Sequence, residues 1–149
     1  SSPPPFAVCW ARTVVDMRTG MVRVPDVIIC ADVGRAVDPR VVRGQLQGGV
    51  LMGVGYATQE QVYLDKAQGE LKDTGFMYYG MPVLNDSVHI VGEIIESNEP
   101  TGPFGAKSVG ELPLIPVAGA VANAFFHATG VRMRELPLTP ENVLKRLKK

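Results

Sequence analysis

Apolar and polar positions alternate in two early stretches of the chain. Residues 6–16 mix β-branched, aromatic and small types, and residues 21–31 are again strand-like. The short link Met17-Arg18-Thr19-Gly20 between them ends in glycine, which predicts a hairpin. Pro25 removes one ladder donor, so the second strand should lie at an edge or be bulged near that point. Residues 61–65 and 70–72 flank Lys66-Ala67-Gln68-Gly69 as a second hairpin, and residues 88–96 alternate loosely as a further strand that ends in polar Ser97-Asn98-Glu99-Pro100.

Helical signals separate these strands. Asp38 suits an N-cap and Pro39 the first helical position, so a helix should run to about Gln59. It contains Gly44, Gly48, Gly49, Gly53 and Gly55, each costing about 1 kcal/mol relative to alanine. Gly44, Gly48 and Gly55 fall near i, i+4 and i+11, so one glycine face would admit a neighbouring element or a ligand. Residues 116–128 are rich in alanine, valine and phenylalanine and predict a buried helix stopped by Gly130. Thr139-Pro140-Glu141-Asn142 opens a short last helix to about Lys148, whose end carries the basic cluster Lys145, Arg146, Lys148 and Lys149. The aromatic run Phe76-Met77-Tyr78-Tyr79 reads as core packing rather than as a stacking platform. Together these elements predict an α+β fold in which mixed strands and hairpins pack with a Gly-rich helix and an Ala-rich helix, as a single domain or a fragment spanning 1–149.

Composition narrows the functions. Fifteen basic residues balance fifteen acidic ones, so no summed field would draw the chain to nucleic acid or to an anionic membrane. No apolar run is long enough to cross a bilayer and no signal-peptide pattern opens the chain, which reads as soluble and cytoplasmic. Cys9 and Cys30 lack metal spacing and read as buried free thiols, and two scattered cysteines cannot hold a [2Fe–2S] cluster. His89 and His127 stand alone, so direct ligation of a metal by this chain is not indicated. The start Ser1-Ser2-Pro3-Pro4-Pro5 lacks an initiator Met, as expected of a processed chain or a piece of something longer.

Candidate chemistry gathers in residues 102–113, Gly-Pro-Phe-Gly-Ala-Lys-Ser-Val-Gly-Glu-Leu-Pro, which lie between the last strand and the Ala-rich helix. Glycines give this loop backbone freedom, and Lys107, Ser108 and Glu111 add a cation, a hydroxyl and a carboxylate. An acid just before a helix has an ordinary explanation, because free N–H groups and the helix dipole favour negative charge there.

Gly-Pro-Phe-Gly-Ala-Lys-Ser-Val-Gly-Glu, with Pro-Leu-Ile-Pro-Val-Ala and Ala-Asn-Ala-Phe-Phe-His-Ala-Thr-Gly-Val-Arg after it, resembles the C-terminal part of the molybdenum-binding subunit of the xanthine dehydrogenase and aldehyde oxidoreductase family. The Asp-x-Gly-x-x-x-x-Pro segment from Asp32 to Pro39 and the following Gly44-Gln45-Leu46-Gln47-Gly48-Gly49 are similar to the same family. The resemblance implies hydroxylation of a purine, another N-heterocycle or an aldehyde with water-derived oxygen, on molybdenum held by molybdopterin or its cytosine dinucleotide form. It makes Glu111 the general base. It makes Gln45, Gly105, Ala106, Lys107, Ser108, Val109 and Gly110 the cofactor-side residues, the loop contributing backbone N–H groups. Ser108 stands where many relatives carry glycine or alanine, and Leu112 replaces a proline common after the glutamate.

The resemblance covers nearly all of this chain but only the last part of a longer subunit. It implies partners: the remaining molybdenum-subunit segment, and FAD and [2Fe–2S] groups carried on other subunits or segments. Alone, the chain should not turn over. The rival reading is a non-catalytic scaffold of a multisubunit complex in which Glu111 merely caps a helix; a free-standing pterin or nucleotide carrier rests on glycine content alone.

Overall fold

The computed structural model describes residues 3–72, 75–86 and 88–148; Ser1, Ser2 and Lys149 of the terminal readings lie outside it. Its main sheet has three strands in the order β1-β2-β5. β1 (Phe6–Val15) and β2 (Val22–Asp32) form the expected antiparallel hairpin. Asp16 closes its turn: its carboxylate accepts from the amides of Arg18 and Thr19, and its carbonyl accepts from Gly20 at 2.7 Å. β5 (His89–Ile95) joins β2 in parallel, beginning at the pair Asp26 and His89. The β1–β2 register shifts between Arg12 and Val14, opposite Pro25. Pro25 therefore sits where β2 is bulged on one side and has no neighbour on the other, so its missing donor breaks no ladder bond.

Alternation along the strands gives the sheet an inner face of Ala11, Val27, Ile29 and Ala31, all buried. Two helices cover that face. α1 (Pro39–Thr58) packs on β5 and β2, and α2 (Val117–Thr129) packs on β1 and on α1. Val42, Leu46 and Val50 on α1 and Val117, Val121 and Phe125 on α2 repeat at helical spacing and form the core with the strands.

The cap signals are realised. Asp38 accepts from the amides of Arg40 and Val41, and Gly130 ends α2 at φ 72. Thr139 caps α3 (Pro140–Leu147) by accepting from Asn142 at 3.3 Å.

The glycine face of α1 differs from expectation. A Cβ on Gly44 or Gly48 would meet nothing within 4 Å, whereas one on Gly49 would lie 2.7 Å from Pro113 Cβ and one on Gly53 2.6 Å from Val117 Cβ. Gly49 and Gly53 thus offset their helix cost by letting α2 and the segment before it approach the α1 backbone. Gly55 of the expected face does pack, since a Cβ there would lie 2.5 Å from Pro82 Cγ; the glycines that pack are those facing α2 and the segment around Pro82.

β3 (Tyr63–Leu64) and β4 (Leu71–Lys72) form the second hairpin with only two residues each. Phe76, Met77 and Tyr78 are exposed, so this run is not core. The sheet's inner face is already filled by α1 and α2. Cys9 pairs with Ile29 and Cys30 with Val8, so the two free thiols point to opposite faces of the sheet; burial pushes the Cys9 thiol up to about 11.

Candidate functional site

Two connections leave the carboxyl ends of the parallel strands β2 and β5. Residues 33–38 lead to α1 and residues 96–116 lead to α2. In sheets with parallel strands this is the end at which ligands commonly bind. The connections are bonded to each other: Val33 N–H donates to Ile95 O at 3.0 Å, Asn98 N–H to Gly34 O at 3.1 Å, Lys107 N–H to Val33 O at 2.8 Å, and Ala36 N–H to Glu96 Oε1 at 2.7 Å. Gly34 and Gly105 make the approach possible. Both have positive φ, 68 and 82, and a Cβ on Gly34 would run into the Gly105 carbonyl oxygen.

Lys107 fixes the loop. Its ammonium lies 2.7 Å from Asp32 Oδ2, with the lysine side chain 6% exposed and that of Asp32 18%. Asp32 Oδ1 accepts from the Gly34 amide at 2.9 Å and from the Ser97 hydroxyl at 2.8 Å. The Lys107 ammonium, then the Gly34 amide, then the Ser97 hydroxyl hold the Asp32 carboxyl well below the usual range, at about 2. Lys107 is therefore a buried clamp rather than an available cation. The Lys107 ammonium also sits 5.4 Å from the centroid of the Phe6 ring.

Beyond the clamp the backbone is irregular and bends at Gly110 and Glu111. Ser108, Gly110 and Glu111 are exposed, Val109 is half-buried against the core, and Leu112 and Pro113 are buried. The N–H groups of Gly105, Ala106 and Lys107 are used internally, donating to Gly102, Pro103 and Val33. Among the described residues, those of Ser108, Val109, Gly110 and Glu111 donate to no protein acceptor. The six loop residues implied as cofactor-side thus divide: three spend their amides holding the loop together, and Ser108, Val109 and Gly110 keep theirs available.

Among the described residues the Glu111 carboxylate has no hydrogen bond and no ion pair, and it does not cap α2. Its carbonyl accepts from Leu114 in the turns of residues 112–116, and α2 begins at Val117 with Pro116 as N-cap, no side-chain cap bond and no acid in the first turn. Gln45 is exposed on α1, not buried, and makes no bond to the loop. It stands one turn before Gly49, against which Pro113 packs, so helix geometry places it on the side of α1 from which the loop leaves.

Among the described residues no group of three or more His, Cys, Asp or Glu side chains could hold a metal ion. His89 Nδ1 is 3.3 Å from Asp26, and His127 is exposed near the end of α2. Free amides, one open carboxylate and a glutamine amide suit a group rich in hydrogen-bonding edges, such as a pterin that carries the metal itself. Sequence reasoning missed Asp32 and Ser97, the partners of the clamp. The signal for Asp32 was present in Asp-x-Gly, since a carboxylate bonding the amide two residues on makes a local turn.

Known proteins resemble the chain in sequence and in backbone. The molybdopterin cofactor-binding domain family matches residues 1–88. The xanthine dehydrogenase molybdenum-binding subunit of Escherichia coli O157:H7 is 35% identical over 143 residues, 96% of this chain and 19% of the relative. The aldehyde oxidoreductase of Megalodesulfovibrio gigas is 37% identical over 143 residues, 96% of this chain and 15% of the relative. The structure of an aldehyde oxidoreductase from Desulfovibrio gigas superposes with a TM-score of 0.88 at 33% identity, covering 97% of this chain and 16% of that one. The chain thus spans less than a fifth of the length of these relatives. The family match takes in Gln45, and the whole-chain relatives take in the loop as well. Sequence and backbone agree, and the chain belongs to the molybdopterin cofactor-binding domain family, as a segment of the xanthine dehydrogenase and aldehyde oxidoreductase type of molybdenum-binding subunit.

Proposed function

We propose that this chain supplies the general base of a molybdenum hydroxylase, and that Glu111 is that base. The observation that carries the reading is an exposed carboxylate with no partner among the described residues, on a backbone segment pinned by a buried ion pair and showing unused amides beside it. Helix capping does not account for Glu111. What sets it apart from other exposed acids without partners among the described residues, such as Glu70 and Glu135, is its place beside the unused amides and the clamp.

When bound, the molybdenum–pterin group supplies the metal and redox chemistry for hydroxylating carbon with water-derived oxygen. The amides of Ser108, Val109 and Gly110 donate toward that group, and Gln45 adds a side-chain amide from α1. The Lys107–Asp32 clamp keeps this edge from collapsing, and the Glu111 carboxylate accepts a proton from the water-derived oxygen. A positioned base of this kind contributes typically 10²–10⁴-fold. An electron-poor carbon of a purine, another N-heterocycle or an aldehyde is the substrate class consistent with the relatives named xanthine dehydrogenase and aldehyde oxidoreductase. FAD and [2Fe–2S] groups on other segments or subunits would supply the electron-accepting chemistry, and the remaining molybdenum-subunit segment would complete the cofactor site.

The test is Glu111→Gln in the complete enzyme, which keeps shape and removes basicity. Molybdenum and pterin content should stay at the unsubstituted level while turnover falls at least about a hundredfold; near-normal turnover overturns the assignment. The alternative is a non-catalytic scaffold of a multisubunit complex; near-normal turnover of Glu111→Gln would favour it, and the helix-cap role it gave Glu111 is not seen at α2.

A further inference from the structure

We infer that the outer face of the β1-β2-β5 sheet is the docking surface for the remainder of the molybdenum-binding subunit, and that the docked layer seals the Lys107–Asp32 clamp. The inference rests on the family membership and not on the role of Glu111.

Strand alternation turns Phe6, Val8 and Trp10 of β1, Ile28 of β2 and Ile95 of β5 away from the helices. They are 63%, 74%, 54%, 40% and 51% exposed. The register makes them one surface, because Trp10 stands beside Ile28, and Phe6 and Ile95 flank Asp32. Charged groups fringe the patch, and one, Glu93 in the row of Val8 and Cys30, stands within it. At one end Arg12, Asp26 and His89 form a row across the three strands, Arg12 Nε donating to Asp26 Oδ2 at 2.6 Å; at the other end lie Asp32 and Lys107.

An apolar centre holding tryptophan inside a polar rim is the anatomy of a protein interface. Strands paired in parallel, as β2 and β5 are, usually have both faces covered, and here only one is. The occupant follows from size. The backbone on which this chain superposes with a TM-score of 0.88 belongs to a polypeptide of which the chain covers 16%. The uncovered remainder is the polypeptide available to lie on this face. The rim row Arg12-Asp26-His89 is already paired within itself. Glu93 of β5, beside Cys30 on the same face, is exposed and has no ion pair among the described residues. The layer that fits is therefore apolar, with one donor or cation opposite Glu93.

The face is also joined to the candidate site. Phe6 lies against the Lys107 ammonium, and Asp32 belongs to the outer face. A layer over Phe6 removes water from the ion pair that holds residues 105–110, so docking and loop order share the same atoms.

The experiment places a photo-crosslinking residue by Val8→p-benzoylphenylalanine in the complete native protein, with peptide mapping of the products. Val8 is the most exposed residue of the patch and touches none of the site residues described above. Crosslinks to molybdenum-subunit sequence outside these 149 residues are expected. Crosslinks to a second copy of this segment, crosslinks to a flavin or iron–sulfur polypeptide, or none, would overturn the inference. If that variant does not assemble, hydroxyl-radical footprinting of the unsubstituted protein decides: Trp10 should be oxidised at least tenfold more slowly than in the same protein unfolded in denaturant, and a rate near the unfolded one means a bare face. Neither readout depends on turnover.

Discussion

Replacing Lys107 with methionine keeps the length of the side chain and removes the charge from the clamp that holds the candidate loop. Removing one partner of a buried ion pair costs roughly 3–5 kcal/mol, because the other charge is left in a poor solvent. Asp32 would keep the Gly34 amide and the Ser97 hydroxyl, and it is not fully buried, so the lower end, about 3 kcal/mol, applies. For a domain of this size each kcal/mol moves Tm by about 2–4 °C, so Lys107→Met should lower it by about 6–12 °C. The surface pair Arg12 with Asp26 is the internal control. With side chains 56% and 28% exposed, the pair is screened by solvent, and Arg12→Met should be clearly milder than Lys107→Met. Adding Asp32→Asn to Lys107→Met removes the orphaned charge, and the double variant should be more stable than the sum of the singles by roughly 1–3 kcal/mol. Thermal unfolding by circular dichroism reads all four proteins, and hydrogen exchange over 105–110 should rise in Lys107→Met alone. If Lys107→Met is no more destabilising than Arg12→Met, the clamp does not hold the loop and the argument for a pre-set site fails.

Two glycines of α1 should respond in opposite directions. Gly44→Ala meets open space and should stabilise by about 0.5–1 kcal/mol, whereas Gly49→Ala drives a Cβ against Pro113 and should cost about 1–3 kcal/mol in urea unfolding; equal effects would refute the packing assignment. Acid should release the loop in a defined window. The folded Asp32 carboxyl titrates near 2 and an unfolded one near about 3.9, so its stabilisation is complete above about pH 4 and is lost as pH falls through about 2. Exchange over 105–110, corrected for intrinsic rates, should be flat from about pH 7 to 4 and climb below that; a climb centred above pH 5 would assign the transition to another group.

The ends of the elements were readable because their chemistry is local. Asp38 with Pro39, Thr139 with Pro140, and Gly130 each fix a helix terminus through bonds to backbone within a few residues, and all three helices start and stop within two residues of expectation. What depended on distant partners was not readable. The parallel pairing of β2 with β5 joins Asp26 to His89, and nothing near either residue announces the other. Lys107 looked like an available cation because its neutralising carboxylate lies 75 residues earlier. The phase of α1 failed at Gly44 and Gly48 for a similar reason, since counting glycines finds a face but not the side on which α2 packs. The aromatic run after β4 was read as core from composition, and composition does not reveal that α1 and α2 already fill the inner face.

The segment from Ser108 to Glu111 differs from the loop before it in where its hydrogen-bonding groups go. Gly105, Ala106 and Lys107 donate to Gly102, Pro103 and Val33, whereas the amides from Ser108 to Glu111 have no protein acceptor among the described residues, and water or a ligand can accept from them. Nor does the acid serve a helix terminus, since the start of α2, six positions on from Glu111, has no acid in its first turn. A buried ion pair and two close-packed glycine positions hold rigid a strip that satisfies none of its own donors and leaves its carboxylate open. Rigidity upstream and unspent hydrogen-bonding capacity downstream are the two requirements for holding a polar group in a fixed orientation. Under the proposed function that group is the cofactor, and the order along the loop, clamp first, then free amides, then acid, would set the proposed base Glu111 at the far end of the strip that binds it.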